Sequence, residues 1–122
     1  MQSDNWAYAF VGGITVCDTE GIILEMNEQA AKEFESFGGM DLIGSNLLDC
    51  HPEPARSSVK KMLSDKKEKI YSVEKQGFKK MVYQTPWYKD GEYAGFVELI
   101  LPLPMDYPHF VRDVENNKDQ SA

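Results

Sequence analysis

No apolar run in this chain of 122 residues approaches the roughly 20 that a membrane-spanning helix requires. A secretory signal is equally unsupported, because the first residues, MQSDNWAYAF, carry acid where such a segment would carry base. Cysteine is scarce. Cys17 and Cys50 stand far apart without CxxC spacing, which excludes a disulfide framework and suits free thiols in a reduced, cytoplasmic setting. Basic charge is in the minority, with 13 Lys and Arg against 20 Asp and Glu and a formal net charge of -7. Phosphate backbones and anionic leaflets would repel such a chain, so no nucleic-acid or membrane partner is expected. The lysine clusters at Lys60-Lys61, Lys66-Lys67-Lys69 and Lys79-Lys80 are interleaved with acids and read as solvated faces. No carboxylate pair, nucleophile with its base, or phosphate-cradling glycine loop is present, so no catalytic residue is assigned and no enzyme is expected.

What is present is a hydrophobic content of 42%, enough for one core and one domain. Ser3 or Asp4 can cap a short helix over Asp4 to Val11, with Trp6 and Phe10 on one face and Gly12-Gly13 ending it. In ITVCDTEGIILEMN, two β-branched runs flank Asp18 and Gly21 and predict a hairpin. Asn27 caps a helix whose stripe is Ala30, Ala31 and Phe34, closed by Gly38-Gly39. DLIGSNLLDCHPEP is broken into one or two single turns. PARSSVKKMLSD then predicts a longer helix with Ala55, Val59, Met62 and Leu63 on one side. Three strands follow: KIYSVEK, FKKMVYQTPWY after a Gln-Gly turn, and EYAGFVELIL after Asp90-Gly91. Pro86 predicts a bulge or an unpaired position. Beyond Leu101 come prolines, one helical turn around Phe110 to Val114, and a frayed polar tail. The order predicts an α+β fold with a five-stranded antiparallel sheet.

These residues resemble the PAS family of sensory modules over roughly Ile14 to Leu101. The resemblance rests on Asp18, Gly21, Asn27 and Ala30-Ala31 in the first hairpin and helix, then on Ile43-Gly44, His51-Pro52, and finally Pro86, Gly91 and Gly95. It implies short helices on one face of the sheet around a pocket for a small molecule or cofactor, and an N-terminal helix on the other face that builds homodimers. The implied division is an N-terminal helix over 1–13, the PAS-like domain over 14–101 and a proline-containing tail over 102–122. Two departures stand out. LPLPMDYP replaces the Asp-Ile-Thr that often opens an output helix, and no kinase, cyclase or DNA-binding segment follows, so a free-standing module or a fragment is expected. In GSNLL, Leu47 occupies the place of the adduct-forming cysteine of the family's blue-light flavin branch, which argues against flavin-cysteine photochemistry.

Cys50-His51 invites a chemical reading. A metal site lacks a second Cys/His cluster, since His109 stands alone in the tail, and none is assigned. A Cys-His nucleophile is disfavoured because Pro52 holds His51 extended. Haem ligation by His51 stays open as a gas- or redox-sensing alternative, although the helix over residues 54–64 contains no histidine. The plainer reading makes His51-Pro52 the bend before the helix, with His51 bonded to nearby backbone and Cys50 packed as a small hydrophobe.

In the fourth strand Met81, Tyr83, Thr85 and Trp87 alternate against Phe78, Val82 and Tyr88, and the alternation alone does not say which face is inside. Phe34, Cys50, His51, Met62, Met81, Tyr83 and Trp87 are taken as pocket candidates, with Gln84 or tyrosine hydroxyls for orientation. Aromatics are equally suited to a filled core, which would make the chain a protein-interaction domain without a ligand. The fifth strand carries Val97, Leu99 and Leu101 on one face and Phe96, Glu98 and Ile100 on the other. Phe96 and Ile100, with Trp6 and Phe10, are taken as the dimer interface, though Glu98 sits oddly in that set. The expected function is a cytoplasmic sensor that binds a small molecule and signals through dimer contacts or a signalling partner.

Overall fold

Asp18 fixes where the chain first doubles back. Its carboxylate accepts from the amides of Glu20 and Ile22, both at 2.9 Å, and Gly21 adopts a φ of 92° that a side chain would resist. On either side run β1 (Gly13–Cys17) and β2 (Ile23–Met26). The structure, a computed structural model, describes residues 1–113. Asn27 then caps α1 (Glu28–Glu33), which ends at Phe34 rather than at the glycine pair. Three single 3-10 turns follow, Glu35–Phe37, Gly39–Leu42 and Leu47–Cys50, before α2 (Ala55–Asp65). The remaining strands are β3 (Lys69–Lys75), β4 (Phe78–Lys89) and β5 (Glu92–Leu103).

The five strands form one antiparallel sheet in the order β2-β1-β5-β4-β3. Gln76-Gly77 and Asp90-Gly91 turn with positive φ at both positions, the geometry that matches the twist of a two-residue hairpin. Pro86 stays in register opposite Phe96, and the irregularity falls one residue later, between Trp87 and Tyr88. The proline is tolerated because β3 has ended at Lys69, opposite Gln84, leaving one edge of β4 without a partner strand.

Asn27 is fully buried and is the junction of the N-terminal third. Its Oδ1 accepts from Ile14 and Ala30 at 2.8 and 2.9 Å, and its Nδ2 donates to the carbonyls of Ala7 and Gly12 at 2.9 and 2.8 Å. This accounts for a correction. Residues 4–11 do not form the expected helix on the outer face; they run as consecutive turns. A helix would need the carbonyl of Ala7 for its own ladder, but Asn27 takes it, and the amide of Glu28 takes that of Tyr8. Trp6 is 76% exposed and meets Phe10 edge-on, while Phe10 converges with Leu101 at Gly12.

All helices of the described residues pack on one face of the sheet. There the buried side chains gather in two groups, Cys17 with Leu63 and Phe96, and Ile23 with Met26 and Ala30, and Leu47 packs against both. Ala55, expected on the apolar side of α2, is exposed. No helical turn forms over Phe110 to Asp113; Val114 and the polar tail lie outside the described residues.

Candidate functional site: a cavity over the inner sheet face

Register decides which side chains look inward. Val82 pairs with Ile100, Gln84 with Glu98, and Pro86 with Phe96, so this set shares one face. Thr15 and Cys17 of β1 join it through their pairing with Glu98 and Phe96. Above them stand Phe34 after α1, Leu42 and Leu47 of the 3-10 turns, and Val59 and Met62 of α2. Together they enclose a cavity of about 390 Å³. A smaller recess shares His51, Val59, Met62, Tyr71 and Gln84 with it and adds the exposed Ala55, Ser58 and Lys69, so the way in lies between α2 and β3.

The roof is stitched down by backbone geometry rather than by bulk. Asn46 accepts from the amide of Leu48 at 2.8 Å and donates to the Glu20 carbonyl at 3.2 Å. The amide of Gly44 donates to Ile23 and that of Leu47 to Gly21, both at 2.8 Å. These bonds seat the Leu47–Cys50 turn against the first hairpin, so its side chains hang over the sheet. Lys80 reaches Glu33 at 2.6 Å and ties β4 to the end of α1.

Phe34, Cys50, His51 and Met62 stand on the cavity wall. Met81, Tyr83 and Trp87 do not, and this corrects the expected pocket set. Their phase on β4 is opposite to that of Val82 and Gln84, which puts them on the outer face. Trp87 lies opposite Gly95 and donates from Nε1 to the Cys17 carbonyl at 3.0 Å. The expected interface set is corrected in the same way. Phe96, only 3% exposed, and Ile100 line the cavity, while Leu99 and Leu101, absent from its lining, carry the outer face; Val97 shares their phase and also borders the cavity.

The groups missed by sequence reasoning are Glu98, Tyr71, Val82 and Thr15, with Gln84 noticed only as an orienting group. Glu98 was visible in one respect: a carboxylate in the middle of an apolar strand is a signal in itself. Gln84 Nε2 donates to it at 2.7 Å. Burial pushes the Glu98 carboxyl above its ordinary range; Gln84 and His51 offset part of this, and Glu33 adds to it. Burial also raises the Cys17 thiol, which makes it an inert packing group rather than a nucleophile.

His51 adopts the extended conformation that Pro52 imposes, and its Nδ1 donates to the Leu47 carbonyl at 2.6 Å. Since a carbonyl can only accept, Nδ1 carries a proton. Among the described residues no group of three or more His, Cys, Asp or Glu side chains could hold a metal ion, and no helix is long and apolar enough to cross a membrane.

A sheet of this order, with helices on one face enclosing a cavity, defines an α+β module built around an interior site. No protein-family model and no curated protein sequence matches the chain. Solved structures do. The PAS domain of Bordetella pertussis BvgS is 19% identical with a TM-score of 0.56, covering 80% of each chain. The PAS domain of an HTR-like protein from Haloarcula marismortui is 17% identical at 0.54, covering 80% of this chain and 85% of the other. The Aer2 receptor of Vibrio cholerae, described as a dual PAS-haem oxygen sensor, is 18% identical at 0.54, covering 76% and 95%. The chain therefore has the PAS fold.

Proposed function

We propose that the chain is a cytoplasmic signal-sensing module that binds a small molecule in the cavity over its inner sheet face and does not transform it. The cavity carries this reading. Its lining is mainly apolar and it opens between α2 and β3, so a molecule with an apolar body can enter and take that surface out of water. Its size also falls within the ~300–1,000 Å³ of ordinary ligand pockets.

The relay follows from the alternation of β5. A molecule against Phe96 and Ile100 presses on the strand whose opposite face carries Val97, Leu99 and Leu101, and on Val59 and Met62 of α2. A second copy, or a signalling partner, covering that outer face with help from Trp6 and Phe10 would feel the change.

Native mass spectrometry of the purified protein, followed by a melting-temperature screen against small aromatic and aliphatic compounds, tests the proposal. A retained molecule or a compound that raises the melting temperature supports it. A bare chain that no compound stabilises would instead favour an interaction domain. A second reading rests on His51, whose free Nε2 is a nitrogen suited to a haem iron. A Soret band lost in His51→Ala would establish it.

A further inference from the structure

The polar groups of the cavity are not scattered over its floor. Lys69 stands opposite Gln84, Gln84 opposite Glu98, and Glu98 opposite Thr15, so a single cross-strand row carries them. The flanking row of Tyr71, Val82 and Ile100 is largely apolar, and so is the one of Phe96, Cys17 and Ile23.

Within that row the Glu98 carboxyl is the group least matched by the protein. One N–H of Gln84 Nε2 goes to one Glu98 oxygen, which leaves the second N–H, the Gln84 Oε1 and the other Glu98 oxygen to meet a ligand. His51, on the same wall, is held by the bond from its Nδ1 to the Leu47 carbonyl. No cationic side chain of the described residues touches Glu98 directly. Among the described residues no ammonium, guanidinium or imidazole nitrogen lies within 4.0 Å of Glu98. Lys80 is engaged with Glu33, and Lys69 holds its ammonium over the Tyr71 ring, 5.5 Å from the centroid.

A buried carboxylate with no cation in contact is costly, and it is matched by a ligand group that carries positive charge and only donates. An ammonium is such a group, and the aromatic faces nearby also favour positive charge. Resting on the sensor reading above, we propose that the ligand is a small amine, its ammonium set against Glu98 and Gln84 and its aromatic or branched aliphatic body lying against Phe96, Ile100 and Val59.

Three probes of similar size separate the possibilities by calorimetry near neutral pH: 2-phenylethylamine, 3-phenylpropan-1-ol and 3-phenylpropionate. The amine should bind at least about tenfold more tightly than the alcohol, and the carboxylate least. Glu98→Gln keeps the shape and the Gln84 partner; it should abolish the amine's advantage and leave the alcohol unchanged. Lowering the pH should weaken the amine and not the alcohol as Glu98 takes up its proton. The titratable groups facing Glu98 are Glu33 from α1, Cys17 from β1, Tyr71 from β3 and His51. The pH series is repeated in His51→Gln, which removes the imidazole from the wall, and the same fall is expected there. An alcohol that binds as well as the amine, or an amine preference that survives Glu98→Gln, overturns the assignment and leaves the sensor reading intact. If none of the three binds, the amine assignment falls, and the native mass spectrum and the compound screen decide the sensor reading separately. Should Glu98→Gln not fold, the wild-type and His51→Gln pH series carry the test.

Discussion

Replacing Asn27 by alanine removes four hydrogen bonds from one fully buried side chain. The lost cap of α1 costs about 1 kcal/mol. The amide of Ile14 and the carbonyl of Gly12 are then left without these partners, each at roughly 1–3 kcal/mol unless water reaches them, and the carbonyl of Ala7 keeps only its 3.4 Å bond from the Phe10 amide. Allowing for water at the less buried Ala7, the loss should come to about 4 kcal/mol, a large part of a typical domain's stability. Urea denaturation followed by tryptophan fluorescence should show a lower midpoint with an unchanged slope, and the melting temperature should fall by about 15 °C. Asn27→Asp is the sharper variant. It keeps the two accepted bonds and sets an oxygen against two carbonyls, so it should be as damaging as alanine at neutral pH. It should recover part of the loss near pH 4, where a carboxylic acid can donate one bond. A wild-type midpoint in Asn27→Ala, within ~0.5 kcal/mol, would refute the view that this residue holds the N-terminal segment in place of a helix.

Other substitutions test the rest of the frame. Glu98 has a raised carboxyl, so the folded state holds a proton that the unfolded chain releases near its ordinary value of 4.5. Its favourable contribution is present below that pH and is lost as pH rises through the raised value. The stability of Glu98→Gln should therefore gain on wild type across this window and then run parallel; a difference, variant minus wild type, that stays constant or falls with pH contradicts the burial of this group. Gly95→Ala should destabilise by more than about 3 kcal/mol, because φ is +139° and a Cβ would meet the Cys17 carbonyl and the backbone of Asp18. Gly91→Ala, with open space around it, should cost only about 1 kcal/mol in turn strain, and equal effects at the two positions would count against the packing described. Leu99→Arg on the outer face should shift the light-scattering mass from dimer to monomer while leaving cavity binding unchanged; a monomeric wild type would remove dimer contacts from the relay.

Where the chain's punctuation is covalently local, it was legible. Asp18 with Gly21, Gln76-Gly77, Asp90-Gly91 and Asn27 in its role as cap of α1 act through their own backbone neighbours, and each of these turns and this cap stands where the sequence places it. Facing was harder. β4 carries bulk on both sides, so alternation could not distinguish Val82 and Gln84 from Met81 and Tyr83; the choice is made by pairing with β5. On β5 the same symmetry put Phe96 and Ile100 on the wrong side, although Glu98 already argued that its face was not an exposed apolar patch. The N-terminal helix failed for a related reason. Its local signals were adequate, but the carbonyl of Ala7 is claimed by Asn27, 20 residues later, and nothing within residues 4–11 reports that.

Pressurising crystals with xenon asks most directly whether the helices stand off the sheet, since the gas enters apolar cavities and leaves strong density. Xenon between Leu47, Phe96 and Ile100 is the predicted outcome. Side chains closed over that space, with no xenon on the inner face, would contradict the account.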